Sequence, residues 1–142
     1  MILVDANVLI YAIDADSPHH HSARRWLEQA LSGTTPVGLV WIVILAFLRL
    51  TTREGILRKP LSPERAMVFV DEWLAQPYVR AISPGDGHWT ILRTLLRGAG
   101  TAGNLTSDAH LAAVALELGA SICSTDSDFG RFPGIEHISP LR

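Results

Sequence analysis

Short apolar runs alternate with stretches of helical period along the whole chain. Ile2 to Val4 reads as a strand, and Asn7 to Asp14 as a helix with Val8, Leu9, Ala12 and Ile13 apolar. Ser17-Pro18 starts a second helix, with Ala23, Trp26, Leu27, Ala30 and Leu31 as its apolar face and Gly33 at its end. Pro36 to Val40 is a strand. Trp41 to Thr52 is a helix apolar nearly all round, a pattern that predicts burial, whether in the core or at a subunit interface. Ser62-Pro63-Glu64 opens the next helix, which carries Ala66, Val70, Trp73 and Leu74 and stops at Pro77. Val79 to Ile82 is a strand. Ser83-Pro84 begins a helix running through Trp89, Leu92 and Leu96 to Arg97, and Gly98, Gly100 and Gly103 form a link. Thr106 or Ser107 caps a helix that carries Asp108, His110, Leu111, Val114, Ala115 and Leu118 and closes at Gly119. Ser121 to Ser124 is a strand, Asp126 to Arg131 a helical turn, and Ile135 to Ile138 a last short strand.

Strands alternating with helices predict an α/β fold around a mainly parallel sheet of four to five short strands. With 142 residues and no interdomain linker, one domain over 1–142 is expected. No apolar run reaches the roughly twenty residues needed to span a bilayer, and no basic leader precedes the first strand. A single cysteine, Cys123, leaves no internal disulfide and reads as a small buried hydrophobe. A cytoplasmic location is the expectation.

The chemistry lies in the carboxylates. Asp5 directly follows the first strand, and Asp126 stands just past the fourth, with Asp128 close behind. Asp108 sits in the first turn of the helix that feeds the fourth strand. In an open parallel sheet, ligands gather at the carboxyl ends of strands. If the first and fourth strands are neighbours, Asp5, Asp108 and Asp126 meet on one rim. Oxygen donors without cysteine or clustered histidine select Mg²⁺, with Mn²⁺ as substitute, over zinc. Such an ion relieves the repulsion among carboxylates and can assist phosphodiester hydrolysis. Each acid also has a local explanation: Asp5 as a helix cap, Asp108 favoured by the helix dipole, Asp126 in an Asx turn.

The formal charge of −2 argues against a broad polyanion-binding surface. Arg49, Arg53, Arg58 and Lys59 nevertheless cluster in one stretch, and Arg49 and Arg53 are spaced one helical turn apart. Beside an acidic pocket this pair suits substrate phosphates; the alternative is a solvated face. Asn7 either orients a water at the metal or caps a helix. His19-His20-His21 points in three directions on a helix and reads as a surface helix start, and His110 as structural. The four tryptophans read as core or dimer contacts. The glycines after Arg97 do not follow a strand and form no nucleotide fingerprint.

Leu3-Val4-Asp5-Ala6-Asn7-Val8-Leu9 resembles the opening of PIN-domain proteins. Trp41 with Leu45-Ala46-Phe47-Leu48-Arg49-Leu50-Thr51-Thr52 resembles the VapC-type toxins of bacterial toxin–antitoxin pairs. So do Gly103-Asn104-Leu105 with Asp108-Ala109-His110-Leu111-Ala112-Ala113, and Ser124-Thr125-Asp126-Ser127-Asp128-Phe129 through Phe132-Pro133-Gly134 and Pro140-Leu141. The resemblance implies a three-layer α/β/α sandwich and a Mg²⁺-dependent endoribonuclease, the toxin of a type II toxin–antitoxin module. It implies RNA as substrate, a VapB-like cognate antitoxin, a homodimer, and a heterotetramer or larger assembly with antitoxin. Carried onto this chain, Asp5 and Asp108 are the main metal ligands and Asp126 completes the cluster. Asn7, Thr125 and Asp128 support it, and Arg49 and Arg53 contact substrate.

One position departs from the pattern. Many members carry a glutamate just before the Phe-Leu-Arg run, where this chain has Ala46. Glu54, eight residues on, lies about 12 Å further along a helix. One ion in place of two, or a non-catalytic module that binds RNA or protein, is the alternative this opens. A phosphatase or phosphoacceptor domain is disfavoured, since Asp5-Ala6-Asn7 lacks a second aspartate and no lysine accompanies the last strands.

Overall fold

The computed structural model describes residues 1–141. Five parallel strands form the centre: β1 (Ile2–Val4), β2 (Val37–Val40), β3 (Val79–Ile82), β4 (Ser121–Cys123) and β5 (His137–Ile138), in the order β3-β2-β1-β4-β5. Around them run α1 (Ala6–Ile13), α2 (His20–Ser32), α3 (Trp41–Thr52), α4 (Pro63–Leu74), α5 (His88–Ala99) and α6 (Thr106–Leu118). The sheet is wholly parallel. Its inner strands are accordingly apolar on both faces: Leu3, Val4, Val37, Leu39, Val40, Ile122 and Cys123 are all essentially inaccessible to water. Each such fully buried aliphatic side chain contributes about 1.5–3 kcal/mol.

The order of the strands makes the site. From β1 the chain winds outward through β2 to β3, then crosses back to lay β4 against the other side of β1. Leu3 pairs with Ile122 and Val4 with Cys123. The direction of winding therefore reverses beside β1, and the residues leaving β1 and β4 border the resulting crevice.

Several expected boundaries shift for identifiable reasons. Ser83-Pro84 does not begin α5; the helix starts at His88 with Gly87 as its N-cap. Residues 83–87 form a turn instead, because the Glu117 carboxylate on α6 accepts the backbone N–H of Gly85 (2.9 Å) and of Gly87 (3.1 Å). A Cβ on Gly85 would stand 2.5 Å from Glu117 Oε2, so the clamp requires glycine there. Nor do Thr106 or Ser107 cap α6. A 3-10 turn at Gly103–Leu105 runs straight into the helix, and Leu105 holds the cap position without a side-chain bond. Gly119 closes α6 as expected, in the left-handed conformation at φ 66°. Helix α2 starts at His20, two residues past Pro18.

Helix α3 is not wholly buried. Val43, Ile44 and Phe47 face the core, where Phe47 meets Trp73 edge-on at 4.8 Å. Trp41 and Leu45 are 46% and 57% exposed, because α1, α4 and the sheet cover only part of the helix. Of the four tryptophans only Trp73 is fully in the core; Trp89 is 66% exposed. Among the described residues no helix is long and apolar enough to cross a membrane.

Candidate metal centre

The crevice between β1 and β4 is tied shut at its base by hydrogen bonds. Asp5 N–H donates to the Cys123 carbonyl (2.9 Å), extending the ladder one step beyond β1. The Asp5 carboxylate then caps α1: Oδ1 accepts Ala6 N–H at 2.8 Å. Oδ2 accepts the Ser124 hydroxyl (2.8 Å) and Asn7 Nδ2 (3.3 Å). Cap and site geometry are thus one arrangement.

Asn7 does not cap the helix, a place that Asp5 holds. It bridges the two strand ends: Nδ2 donates to Ser124 Oγ (3.1 Å) and Oδ1 accepts Thr125 N–H (3.2 Å). Thr125 enters this network through its backbone. Ser124 is the hub, fully buried, and its Oγ also accepts Asp126 N–H at 3.0 Å. Sequence reasoning gave Ser124 no role. The available signal was a hydroxyl between a buried strand and an aspartate, where a side chain must be both small and able to donate.

Asp126 turns the chain by accepting Asp128 N–H on Oδ1 (2.8 Å), the Asx turn that opens a 3-10 segment over Ser127–Arg131. That turn brings Asp128 round. Asp108, Asp126 and Asp128 each offer a carboxylate oxygen, and these lie within 4.8 Å of one another. Asp128 thus stands inside the cluster to which the sequence assigned it only a supporting place. Asp5 is outside that group but lines the same cleft as Asp108, on which its charge and those of Asp126 and Asp128 act.

The electrostatics follow. Burial, then the charges of Asp5, Asp126 and Asp128, push the Asp108 carboxyl up to about 7. Burial also raises Asp5, opposed by the Ser124 and Ala6 hydrogen bonds. The Cys123 thiol is pushed up to about 12 by burial and the charge of Asp5, which leaves it inert. Among the described residues no arginine or lysine pairs with these carboxylates; the ion pair present is Arg24–Glu28 on α2. His137 offsets only part of the charge at Asp5, and crowded, partly desolvated oxygen donors of this kind fit a hard divalent cation.

A cleft of about 250 Å³ opens beside the acids, lined by Asp5, Asp108, Ser107, Ala46 and Arg49 among others. Ala46 brings no carboxylate to it. Arg49 lines the cleft from α3, and Arg53 is not among the lining residues. The helix ends at Thr52, and Arg53 is its C-cap, with extended backbone (φ −102°, ψ 162°). Glu54 lies beyond that end and is exposed. The three histidines diverge: His19 packs edge-on against Tyr11, His20 Nδ1 meets the Tyr11 carbonyl, and His21 meets Arg25. His110 bonds to His88 Nε2 at 3.0 Å, away from the acids.

An acidic, cation-ready rim at the switch point of a parallel sheet defines an α/β domain of the metal-dependent nuclease kind. Residues 2–135 match the PIN domain family model, and the chain belongs to that family. It is 49% identical over 140 residues to ribonuclease VapC37 of Mycobacterium tuberculosis, covering 99% of this chain and 97% of that one. It is 39% identical over 142 residues to ribonuclease VapC33 of the same species, covering 100% and 99%. Among solved structures, VapBC2 of Rickettsia felis bound to a promoter DNA fragment superposes with a TM-score of 0.69 at 20% identity, over 98% of both chains. VapC20 of M. tuberculosis, a toxin that cleaves the sarcin–ricin loop, gives 0.68 at 21% identity over 96% and 99%. At those identities the structural likeness speaks for the fold.

Proposed function

We propose that this protein is a Mg²⁺-dependent endoribonuclease, the toxin of a type II toxin–antitoxin module, held inactive by a cognate VapB-like antitoxin. The observation that carries the reading is the convergence of Asp108, Asp126 and Asp128 within 4.8 Å, with Asp5 lining the same cleft as Asp108. The full-length similarity to proteins named as ribonucleases supports the substrate class.

In this reading Asp5, Asp108 and Asp126 hold the cation, with Asp128 closing the same cluster. Bound there, Mg²⁺ or Mn²⁺ supplies acidified water and positive charge for the phosphoryl oxygens. The protein's own groups do the positioning. Ser124 and Asn7 fix the Asp5 carboxylate, and Arg49, lining the same cleft, meets a substrate phosphate. Arg53 contributes only from outside that cleft. Water oxygen bonds to phosphorus, the bond from phosphorus to the 3′ oxygen breaks, and the leaving oxygen takes a proton. The products carry a 5′-phosphate and a 3′-hydroxyl. A basic side chain from the antitoxin entering the same acidic cleft would displace cation and substrate together. The reading includes a homodimer of this chain, assembled with antitoxin into a heterotetramer or larger complex, and a cytoplasmic location.

The test is cleavage of single-stranded RNA. EDTA should abolish it, Mg²⁺ should restore it, and Asp5→Asn should inactivate the protein while leaving it folded. Cleavage that persists in chelator rejects the reading. A second reading, a binding module without catalysis, draws on Ala46 in the cleft wall. It expects RNA binding that is indifferent to divalent ions.

A further inference from the structure

The end of β4 has a gap in its hydrogen bonding that a side chain fills. Strand β5 runs parallel to β4: Ile122 N–H donates to the Glu136 carbonyl (2.9 Å) and Ser124 N–H to that of Ile138 (3.0 Å). In a parallel ladder each bonded residue donates to one partner and accepts from the residue two further on. The donor due to the Ser124 carbonyl is therefore the N–H of residue 140. Residue 140 is proline and has none. In its place, His137 Nε2 lies 2.8 Å from the Ser124 carbonyl. A carbonyl only accepts, so Nε2 carries the hydrogen. The His137 ring also lies against the buried Phe129, centroids 6.0 Å apart. Phe129 is in the turn that carries Asp128.

We propose that His137 is a positioning residue for the acidic site, holding Ser124 in register in place of the donor that Pro140 lacks. This rests on the cation-dependent reading of the site. Ser124 Oγ bonds Asp5, Asn7 and the Asp126 amide. A displacement of its backbone moves carboxylates on both sides of the crevice. The positioning role of His137 runs through Ser124; its direct electrostatic pull on Asp5 is lost equally in both substitutions below.

Two substitutions separate the donor from the ring. His137→Phe keeps an aromatic ring against Phe129 and has no donor. His137→Gln keeps an N–H at a similar reach and has no ring. Amide hydrogen exchange at Thr125 and Asp126, measured by NMR without divalent ions, reports the bonds to Asn7 and Ser124. Exchange in the Phe variant should quicken by about tenfold, the scale of one lost hydrogen bond. The Gln variant should stay within about threefold of the parent. Mn²⁺ affinity should follow the same order. Equal loss in both variants, or loss in Gln alone, overturns the proposal. If the Phe variant does not fold, Gln decides by itself: parent-like exchange upholds the proposal, and quickened exchange ends it. A parent protein that takes up no Mn²⁺ defeats the cation reading, while the exchange data still decide the role of His137.

Discussion

Ser124 Oγ donates to Asp5 Oδ2 over 2.8 Å, joining residues 119 positions apart. The bond closes the crevice between β1 and β4 and orders the acids on both sides. Ser124→Ala leaves Asp5 Oδ2, Asn7 Nδ2 and the Asp126 amide each short of a partner in a partly buried place. The expected cost is about 1–3 kcal/mol in denaturant-induced unfolding, together with weaker Mn²⁺ binding. A variant as stable as the parent would show that water replaces the hydroxyl.

Asp108 gives the protein a pH dependence with a definite sign. Its carboxyl titrates at about 7 in the folded protein, against 3.8 ordinarily. Between those values the folded state binds the extra proton, so stability without divalent ions should fall as pH rises from about 4 to 7 and then level off. A cation removes this penalty by pairing with the ionised form. Stabilisation by Mg²⁺ should therefore be small near pH 5 and grow up to about pH 7, as read by thermal unfolding at several pH values. A Mg²⁺ effect independent of pH across that range would contradict the account.

Asp108→Asn removes one charge from a crowded acidic cluster. Above pH 7 the ion-free variant should be more stable than the parent, by on the order of 1 kcal/mol after solvent screening. It should also lose cleavage. Stability gained with activity lost, measured by unfolding and RNA cleavage on the same preparation, is the signature of a residue kept for function.

The clamp of Glu117 on Gly85 and Gly87 lies outside the acidic site. Glu117→Ala should cost about 1 kcal/mol in chemical unfolding, since the freed amides are exposed to water. RNA cleavage at saturating Mg²⁺ should be unchanged. A loss of cleavage without loss of stability would link the turn before α5 to the site.

Much of the fold was legible because its signals are local. The apolar runs of β1 and β2, the Ser62-Pro63 start of α4 and the Gly119 stop of α6 each follow from steric and hydrogen-bonding rules within a few residues. The start of α5 was not, since the turn over 83–87 is set by Glu117, some thirty positions away. That Asp5 borders the same crevice as Asp108 and Asp126 was foreseeable once β1 and β4 were taken as neighbours, though the converging oxygens are those of Asp108, Asp126 and Asp128. The standing of Asp128 depended on an Asx turn that rotates the chain after Asp126. Ser124 and His137 were illegible for a similar reason. One owes its importance to three partners from separate segments, the other to a proline three residues downstream. Of the Arg49/Arg53 pair, Arg49 lines the acidic cleft, while Arg53 stands at the C-cap just past the end of α3.

Whether the acids bind a cation through Asp108 is read by calorimetric titration of Mn²⁺ into the parent protein and the Asp108→Asn variant at pH 7.5 or above, past the value of about 7 to which the Asp108 carboxyl is pushed. The account expects saturable binding in the parent and its loss in the variant. No uptake by the parent, or equal affinity in both, would contradict it.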